Sequence, residues 1–144
     1  MTRYLLDTNI ISNVTKPVPS ESLVLWMSAQ ADEDLFISTF SIAELWRGVL
    51  EKPPGRKRGE LERWFFGPEG PQTLFAGRIL SFDEEAALIW GRLMADGTVS
   101  GQPRSALDMV VASIAEANHC VIVTNNEKHF RSVAQMVNPM QQSH

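Results

Sequence analysis

Tyr4-Leu5-Leu6-Asp7-Thr8-Asn9, near the N-terminus, joins three apolar residues directly to an acid, a hydroxyl and an amide. A short apolar run of this kind predicts a buried strand, and the polar residues after it predict a turn into a helix. In α/β proteins, ligands bind just beyond the carboxyl ends of the strands. The segment therefore predicts the first strand of an α/β domain, with Asp7 at its ligand-binding edge.

Short apolar runs and helical segments alternate along the rest of the chain. Three further strands are predicted, at residues 35–38, 79–82 and 120–123. Helices are predicted at residues 21–31, from 41 to about 50, from 56 to about 66, from 84 to about 96 and from 105 onward, with a further short helix from 127. Loops are predicted at 67–71 and 97–103. Because the strands are uniformly apolar, we expect a parallel sheet of four to five strands between two helical layers, an α/β/α domain over residues 1–139. The tail at 140–144 is expected to be disordered.

The composition fits one globular domain. The 144 residues are 44% apolar, which is enough to bury a single core. The only cysteine, Cys120, excludes an internal disulfide, and no apolar run is long enough for a membrane span or an export signal. These features predict a cytoplasmic protein with no membrane contact. The net charge of −4 gives no overall attraction to nucleic acid, so any such contact is expected to be local.

Polar clusters occur where this fold would place ligands. Asp7-Thr8-Asn9 follows the first strand, Glu44 lies in the helix after the second, and Thr124-Asn125-Asn126 follows the strand at 120–123. Asp108 lies in the first turn of its own helix. Several carboxylates around one divalent cation balance each other's charge. An oxygen-only set without histidine or cysteine favours Mg²⁺ or Mn²⁺ over zinc.

Each of these residues also has an ordinary structural interpretation. Asp7 could cap the first helix, and Glu44 could form a capping box with Ser41. Asp108 could be a first-turn acid stabilised by the helix dipole, and Asn126 could be a turn former. The prediction of a site therefore rests on their combination.

Four segments together resemble the motifs of PIN domains, in the family's order and spacing. The match runs from about residue 3 to 138 and is closest to the FitB-like branch of the VapC-type toxins. The segments are Leu5-Leu6-Asp7-Thr8-Asn9, residues 38–49 around Ile42-Ala43-Glu44-Leu45, residues 106–115 around Leu107-Asp108-Met109, and residues 121–130 around Val123-Thr124-Asn125-Asn126.

This resemblance implies a PIN-like fold and a Mg²⁺-dependent endoribonuclease, the toxin of a type II toxin–antitoxin system. The family's metal-binding acids fall on Asp7, Glu44 and Asp108. Its fourth acid falls on Asn126, which departs from the pattern and leaves open whether one or two metals bind. The polar positions that orient carboxylates or waters in the family fall on four residues: Thr8, Asn9, Ser41 and Thr124.

The resemblance also implies partners. These are a cognate VapB-like antitoxin, an RNA substrate, and a second copy in a homodimer or higher assembly. Large apolar side chains on two helices make an interface there plausible: Trp46, Val49, Leu50, Trp64, Phe65 and Phe66. Arg47 and Arg104 are candidate RNA contacts, as are Arg63 and the run at 56–58, although that run fits a solvated helix face at least as well. His129 is expected to be structural.

Of three rival functions, the sequence excludes one and leaves two open. A haloacid-dehalogenase-like phosphatase needs a second aspartate two residues after the first, and Asn9 stands there. A degenerate PIN-like binding module without catalysis remains open, because Asn126 could leave the metal site incomplete. A structure-specific DNase also remains open, since it uses similar carboxylates.

Overall fold

The computed structural model describes residues 1–140 and contains a five-stranded parallel sheet. Its strands are β1 (Arg3–Leu6), β2 (Leu35–Ser38), β3 (Ile79–Leu80), β4 (Cys120–Val123) and β5 (Met136–Val137). Their order across the sheet is β3-β2-β1-β4-β5, with every neighbouring pair parallel. The predicted α/β fold with a parallel sheet is therefore confirmed. The predicted disordered tail falls, from residue 141 onward, outside the described residues.

Helices connect the strands and cover both faces of the sheet. They are α1 (Thr8–Val14), α2 (Glu21–Ser28), α3 (Thr39–Leu50), α4 (Arg56–Phe66), α5 (Pro71–Leu74), α6 (Glu84–Val99) and α7 (Ala106–Ala117). Two 3₁₀ turns lie at Asp32–Asp34 and Glu127–His129. Within residues 1–140 no helix is both long enough and apolar enough to cross a bilayer.

Several predicted boundaries were wrong. The helix predicted at 21–31 ends at Ser28, the strand predicted at 79–82 has two residues, and α5 begins at Pro71, the last residue of a predicted loop. α6 continues to Val99, through the first three residues of the loop predicted at 97–103. A Cβ at Gly97 would lie 3.0 Å from Cγ and Cδ of Arg104. Gly97 therefore allows close packing of the following segment and does not end the helix.

The core consists of two apolar clusters separated by the sheet. Consecutive strand residues point to opposite faces, so Leu5 and Leu6 belong to different clusters. The Leu5 cluster contains Ile122 and packs under α6 and α7, while the Leu6 cluster contains Val123 and packs under α1 and α2. This arrangement is the expected three-layer α/β/α sandwich.

The central position of β1 sets where the polar residues lie. β1 pairs with β2 on one side and β4 on the other, and the pairing aligns Leu6 with Val123. The chain leaves the sheet directly after both residues, and the Asp7 N–H donates to the Val123 carbonyl at 2.9 Å. Asp7 and Thr124 are therefore neighbours at the carboxyl edge of the sheet.

Gly70, in the tight turn between α4 and α5, has no space for a side chain. A Cβ there would lie 2.1 Å from the Phe65 carbonyl oxygen and 2.6 Å from that of Trp64. Because these are backbone atoms, we expect Gly70→Ala to lower the free energy of unfolding by about 3 kcal/mol, the upper range for overpacking. Urea denaturation measures this.

Gly91→Ala is the matched control. Gly91 lies in the middle of α6 with nothing within 4 Å of an added Cβ. Alanine there is expected to raise the free energy of unfolding by up to about 1 kcal/mol, the helix-propensity difference. Equal effects of the two substitutions would contradict the steric account of Gly70.

Candidate active site

The four predicted chemical residues, Asp7, Glu44, Asp108 and Asn126, line one open pocket of about 390 Å³ at the carboxyl edge of the sheet. Asp7 immediately follows β1, and Asn126 lies three residues after β4. Glu44 lies in the second turn of α3, and Asp108 in the first turn of α7. Segments that are distant in sequence thus bring three acids and an amide to one place. We call this the carboxylate pocket.

Asp7 is held by three donors while remaining in the pocket wall. Its Oδ1 accepts the Thr8 N–H at 2.9 Å, which makes Asp7 the N-cap of α1. Its Oδ2 accepts from Thr124 Oγ1 at 2.9 Å and from Asn9 Nδ2 at 3.1 Å. The capping interpretation and the pocket interpretation of Asp7 are therefore compatible. The side chains of Asn9 and Thr124 orient Asp7.

The capping-box interpretation of Glu44 is wrong. The N-cap of α3 is Ser38, whose Oγ accepts the Ser41 N–H at 3.0 Å, so Ser41 lies inside the helix. Glu44 Oε1 instead accepts from Thr8 Oγ1 at 2.6 Å, and Thr8 Oγ1 lies 2.9 Å from Ser41 Oγ. The Thr8 hydroxyl therefore connects α1 to Glu44 on α3, directly beside Asp7.

Asp108 and His129 lie next to each other in the wall of the same pocket. The Asp108 N–H donates to Ser105 Oγ, which caps α7, and places the acid in the first turn as predicted. Asp108 Oδ2 lies 3.3 Å from His129 Nδ1. The sequence interpretation gave His129 only a structural role and missed its place in the pocket wall. The turn Glu127–His129, where a short helix was predicted, brings it there.

The surroundings of Asp7 disfavour a negative charge on its carboxyl group. Burial raises the pKa of the Asp7 carboxyl, and the negative charge of Asp108 raises it further. Hydrogen bonds from Thr124, Thr8 and Asn9 act in the opposite direction and do not cancel the rise. No lysine or arginine occurs among the residues that line the pocket.

The donor set fits a hard divalent cation. All three acids offer oxygen atoms, the ligands that such ions prefer. Within residues 1–140, no three His, Cys, Asp or Glu side chains lie close enough together to hold an ion as a ready-made cluster. Ions that keep part of their hydration shell can be shared by carboxylates through water, so the spacing of Asp7, Glu44 and Asp108 is compatible with binding.

The two candidate RNA contacts lie outside this pocket. Arg47 is exposed and pairs with Glu51 at 3.2 Å, one turn further along α3. Arg104 donates to the Leu93 carbonyl and lines an adjacent pocket that also contains Asp108. Of the two, only Arg104 is next to a carboxylate of the site.

The fold and the pocket define an α/β protein with an acidic, cation-compatible centre at the carboxyl edge of a parallel sheet. A family model, described as the PIN domain, matches residues 4–136. The chain therefore belongs to the PIN-domain family, whose nucleases generally use divalent metal ions.

Relatives of known name cover nearly the whole chain. Toxin FitB of Neisseria gonorrhoeae is 33% identical over 126 residues, covering 88% of this chain and 89% of that protein. VapC ribonuclease Y4jK of Sinorhizobium fredii is 32% identical over 136 residues, covering 94% and 96%. A solved structure of FitAB bound to an IR36 DNA fragment superposes with a TM-score of 0.87 at 31% identity, covering 98% of both chains.

The raised pKa of Asp7 gives a pH dependence with a definite sign. In metal-free protein, the unfolded chain loses the Asp7 proton at the ordinary pKa, while the folded chain keeps it to higher pH. The folded state then binds more protons, so this contribution to stability is complete at low pH and is lost as pH rises through the raised pKa.

Asp7→Asn removes this contribution. The difference in free energy of unfolding, wild type minus Asp7→Asn, is expected to fall as pH rises from the ordinary aspartate range through the raised pKa of Asp7, and then to level off. Urea titrations of both proteins in the presence of a chelator measure it. A difference that rises with pH would contradict the assignment.

Proposed function

We propose that the protein is the toxin of a type II toxin–antitoxin pair and an endoribonuclease that hydrolyses RNA phosphodiester bonds with bound Mg²⁺. The main support is the convergence of Asp7, Glu44 and Asp108 on one pocket at the carboxyl edge of the sheet. Relatives named as a FitB toxin and a VapC ribonuclease support the same function.

Asp7, Glu44 and Asp108 would hold the ion, with Mn²⁺ as the alternative of similar chemistry. When bound, Mg²⁺ supplies a water of lowered pKa and positive charge beside the phosphate. The chain's own contribution is orientation. Thr124 and Asn9 fix the Asp7 oxygens, and Thr8 fixes Glu44.

Asn126 and His129 complete the pocket around the substrate. An amide at Asn126 can donate to or accept from a water or a phosphate oxygen, but it adds no negative charge. The pocket therefore repels a phosphodiester less than one with four acids would. His129 lies against Asp108 in the pocket wall, with Nδ1 3.3 Å from Oδ2.

Replacing a carboxylate tests the catalytic assignment. We expect Asp108→Asn, and independently Glu44→Gln, to reduce kcat/KM for RNA in Mg²⁺ by about 10²–10³-fold, the scale for losing one electrostatic contribution to the transition state. Gel assays on matched single-stranded RNA and DNA oligonucleotides measure this. Each variant is first checked for folding by its urea midpoint.

Glu60→Gln is the matched control, because Glu60 is an exposed acid on α4 that pairs with Arg56. It should keep wild-type cleavage. Near wild-type cleavage by Asp108→Asn would contradict the assignment of Asp108 as a catalytic carboxylate. Preference for DNA would favour a structure-specific DNase, and metal binding or RNA binding without any cleavage would favour a non-catalytic module.

We further propose that an antitoxin segment occupies a groove beside the carboxylate pocket. The groove has a volume of about 550 Å³ and shares Thr8, Ser12 and Glu44 with that pocket. Its other walls come from α3 and α4, including Val49, Leu61 and Trp64. The FitAB structure, whose toxin chain resembles this one, supports a bound antitoxin.

Gly48→Phe tests the groove. Gly48 lies in the groove wall with nothing within 4 Å of an added Cβ, so a phenyl ring can project into the groove without disturbing the core. We expect the variant to fold and to lose co-purification with the protein of the adjacent reading frame. Gly91→Phe, at an equally open position on α6, should retain it. Retention by Gly48→Phe would contradict the groove assignment.

The proposed substrate also fits a cytoplasmic location.

A homodimer stays a prediction. Of the apolar side chains proposed for an interface, Val49 and Phe65 belong to the interior, whereas Leu50 and Phe66 are exposed. Phe66 packs on Trp46 with ring centroids 5.0 Å apart. The exposed part available to a second copy is therefore centred on Phe66.

A further inference from the structure

A second pocket, of about 340 Å³, adjoins the carboxylate pocket and shares two of its residues, Asp108 and His129. Three cationic side chains line it: Arg104, Lys128 and Arg131. The only acid in its lining is the shared Asp108. We call it the cationic pocket.

The three cations of this pocket differ from four arginines elsewhere on the surface. Four arginines on α3, α4 and α6 are each paired with a glutamate, and these are Arg47, Arg56, Arg58 and Arg92. Across residues 1–140, no Asp or Glu carboxylate lies within 4.0 Å of the charged nitrogens of Lys128, Arg131 or Arg104. In a chain of net charge −4, uncompensated positive charge is thus collected beside the acidic site.

The backbone that carries Lys128 and Arg131 is fixed. Phe130, between Lys128 and Arg131 on the turn, is completely buried, and its carbonyl accepts the N–H groups of Val133 and Ala134. Ser132 adopts a left-handed conformation with φ of 67°, which is unfavourable for a side-chain-bearing residue. Such a conformation persists only where the surrounding structure enforces it. The turn therefore presents Lys128 and Arg131 in a defined place.

Arg104 forms the fixed wall on the other side. Its Nη1 donates to the Leu93 carbonyl at 2.6 Å, and its alkyl chain packs against Gly97. One donor is used within the fold, and the guanidinium has further N–H groups to offer. The cationic pocket is therefore a built cleft between two anchored segments.

We propose that the cationic pocket binds a backbone phosphate of the RNA strand adjacent to the bond at the carboxylate pocket, with Lys128 and Arg131 as the contacting residues. This rests on the proposed ribonuclease function. An RNA strand fits better than an acidic peptide because the two pockets share a wall at Asp108 and His129. A strand with one phosphodiester at the carboxylates needs positive charge at the next position, and phosphate contacts are what fix a nucleic acid's position.

The salt dependence of RNA binding tests this directly. Affinity for a fluorescent single-stranded RNA oligonucleotide of mixed sequence is measured by anisotropy at several salt concentrations, in EDTA so that no cleavage occurs. Each phosphate contact on a single strand contributes about 0.7 to the slope of log K against log salt. We expect Lys128→Ala/Arg131→Ala to bind more weakly and to flatten the slope by about 0.7, the value for one phosphate contact.

Arg56→Ala/Lys57→Ala is the control, with equal loss of charge at the exposed start of α4. It should keep the wild-type slope. Arg104 is left intact, because its replacement would also disturb packing at Gly97. The proposal is overturned if the Lys128/Arg131 variant keeps the wild-type slope, or changes it no more than the control does.

Two further arms separate this proposal from its neighbours. In the first, a labelled polyglutamate peptide takes the place of RNA. If the Lys128→Ala/Arg131→Ala variant loses peptide binding but binds RNA like the wild type, the pocket belongs to an acidic partner instead. Cleavage by wild type and Asp108→Asn is measured separately in Mg²⁺. If the wild type does not cleave RNA in Mg²⁺ but the Lys128→Ala/Arg131→Ala variant still has a flattened binding slope, the ribonuclease function is rejected and the phosphate contact stands.

Discussion

The fold and the site both depend on keeping the Asp7 carboxylate at the end of the central strand. A carboxyl group buried to 9% exposure is costly to ionise unless donors or a cation surround it. Thr124, from a segment 117 positions away, supplies one of those donors. The bond exists only because β1 and β4 are neighbours in the sheet, so the topology and the chemistry impose a single requirement on the chain.

Much of this could be read from the sequence because the relevant signals are local. Apolar runs give the strands, and the residues that follow them give Asp7 and Thr124. Side-chain caps were readable in the same way, since Asp83 and Ser105 each accept an N–H of the helix they precede. These signals depend on neighbours within a few positions, which the sequence displays directly.

What could not be read depends on contacts between distant segments. Ser41 and Glu44 have the spacing of a capping box. The helix is instead capped by Ser38, the last residue of β2, whose hydroxyl accepts the Ser41 N–H. The Glu44 carboxylate accepts instead from the hydroxyl of Thr8, 36 positions away. Gly97 looked like a helix end and is a packing contact with Arg104. Lys128 and Arg131 gave no periodic signal, and their position depends on the buried Phe130 between them and on the hydrogen bonds that its carbonyl accepts.

The hydrogen bond between Thr8 and Glu44 has a consequence for control of the protein. Both residues border the groove proposed for a partner as well as the carboxylate pocket. A peptide lying in that groove would touch the hydroxyl that orients one of the acids, without any change propagating through the core. Storage in a complex and silencing of the chemistry would then be one event, and release would restore both at once.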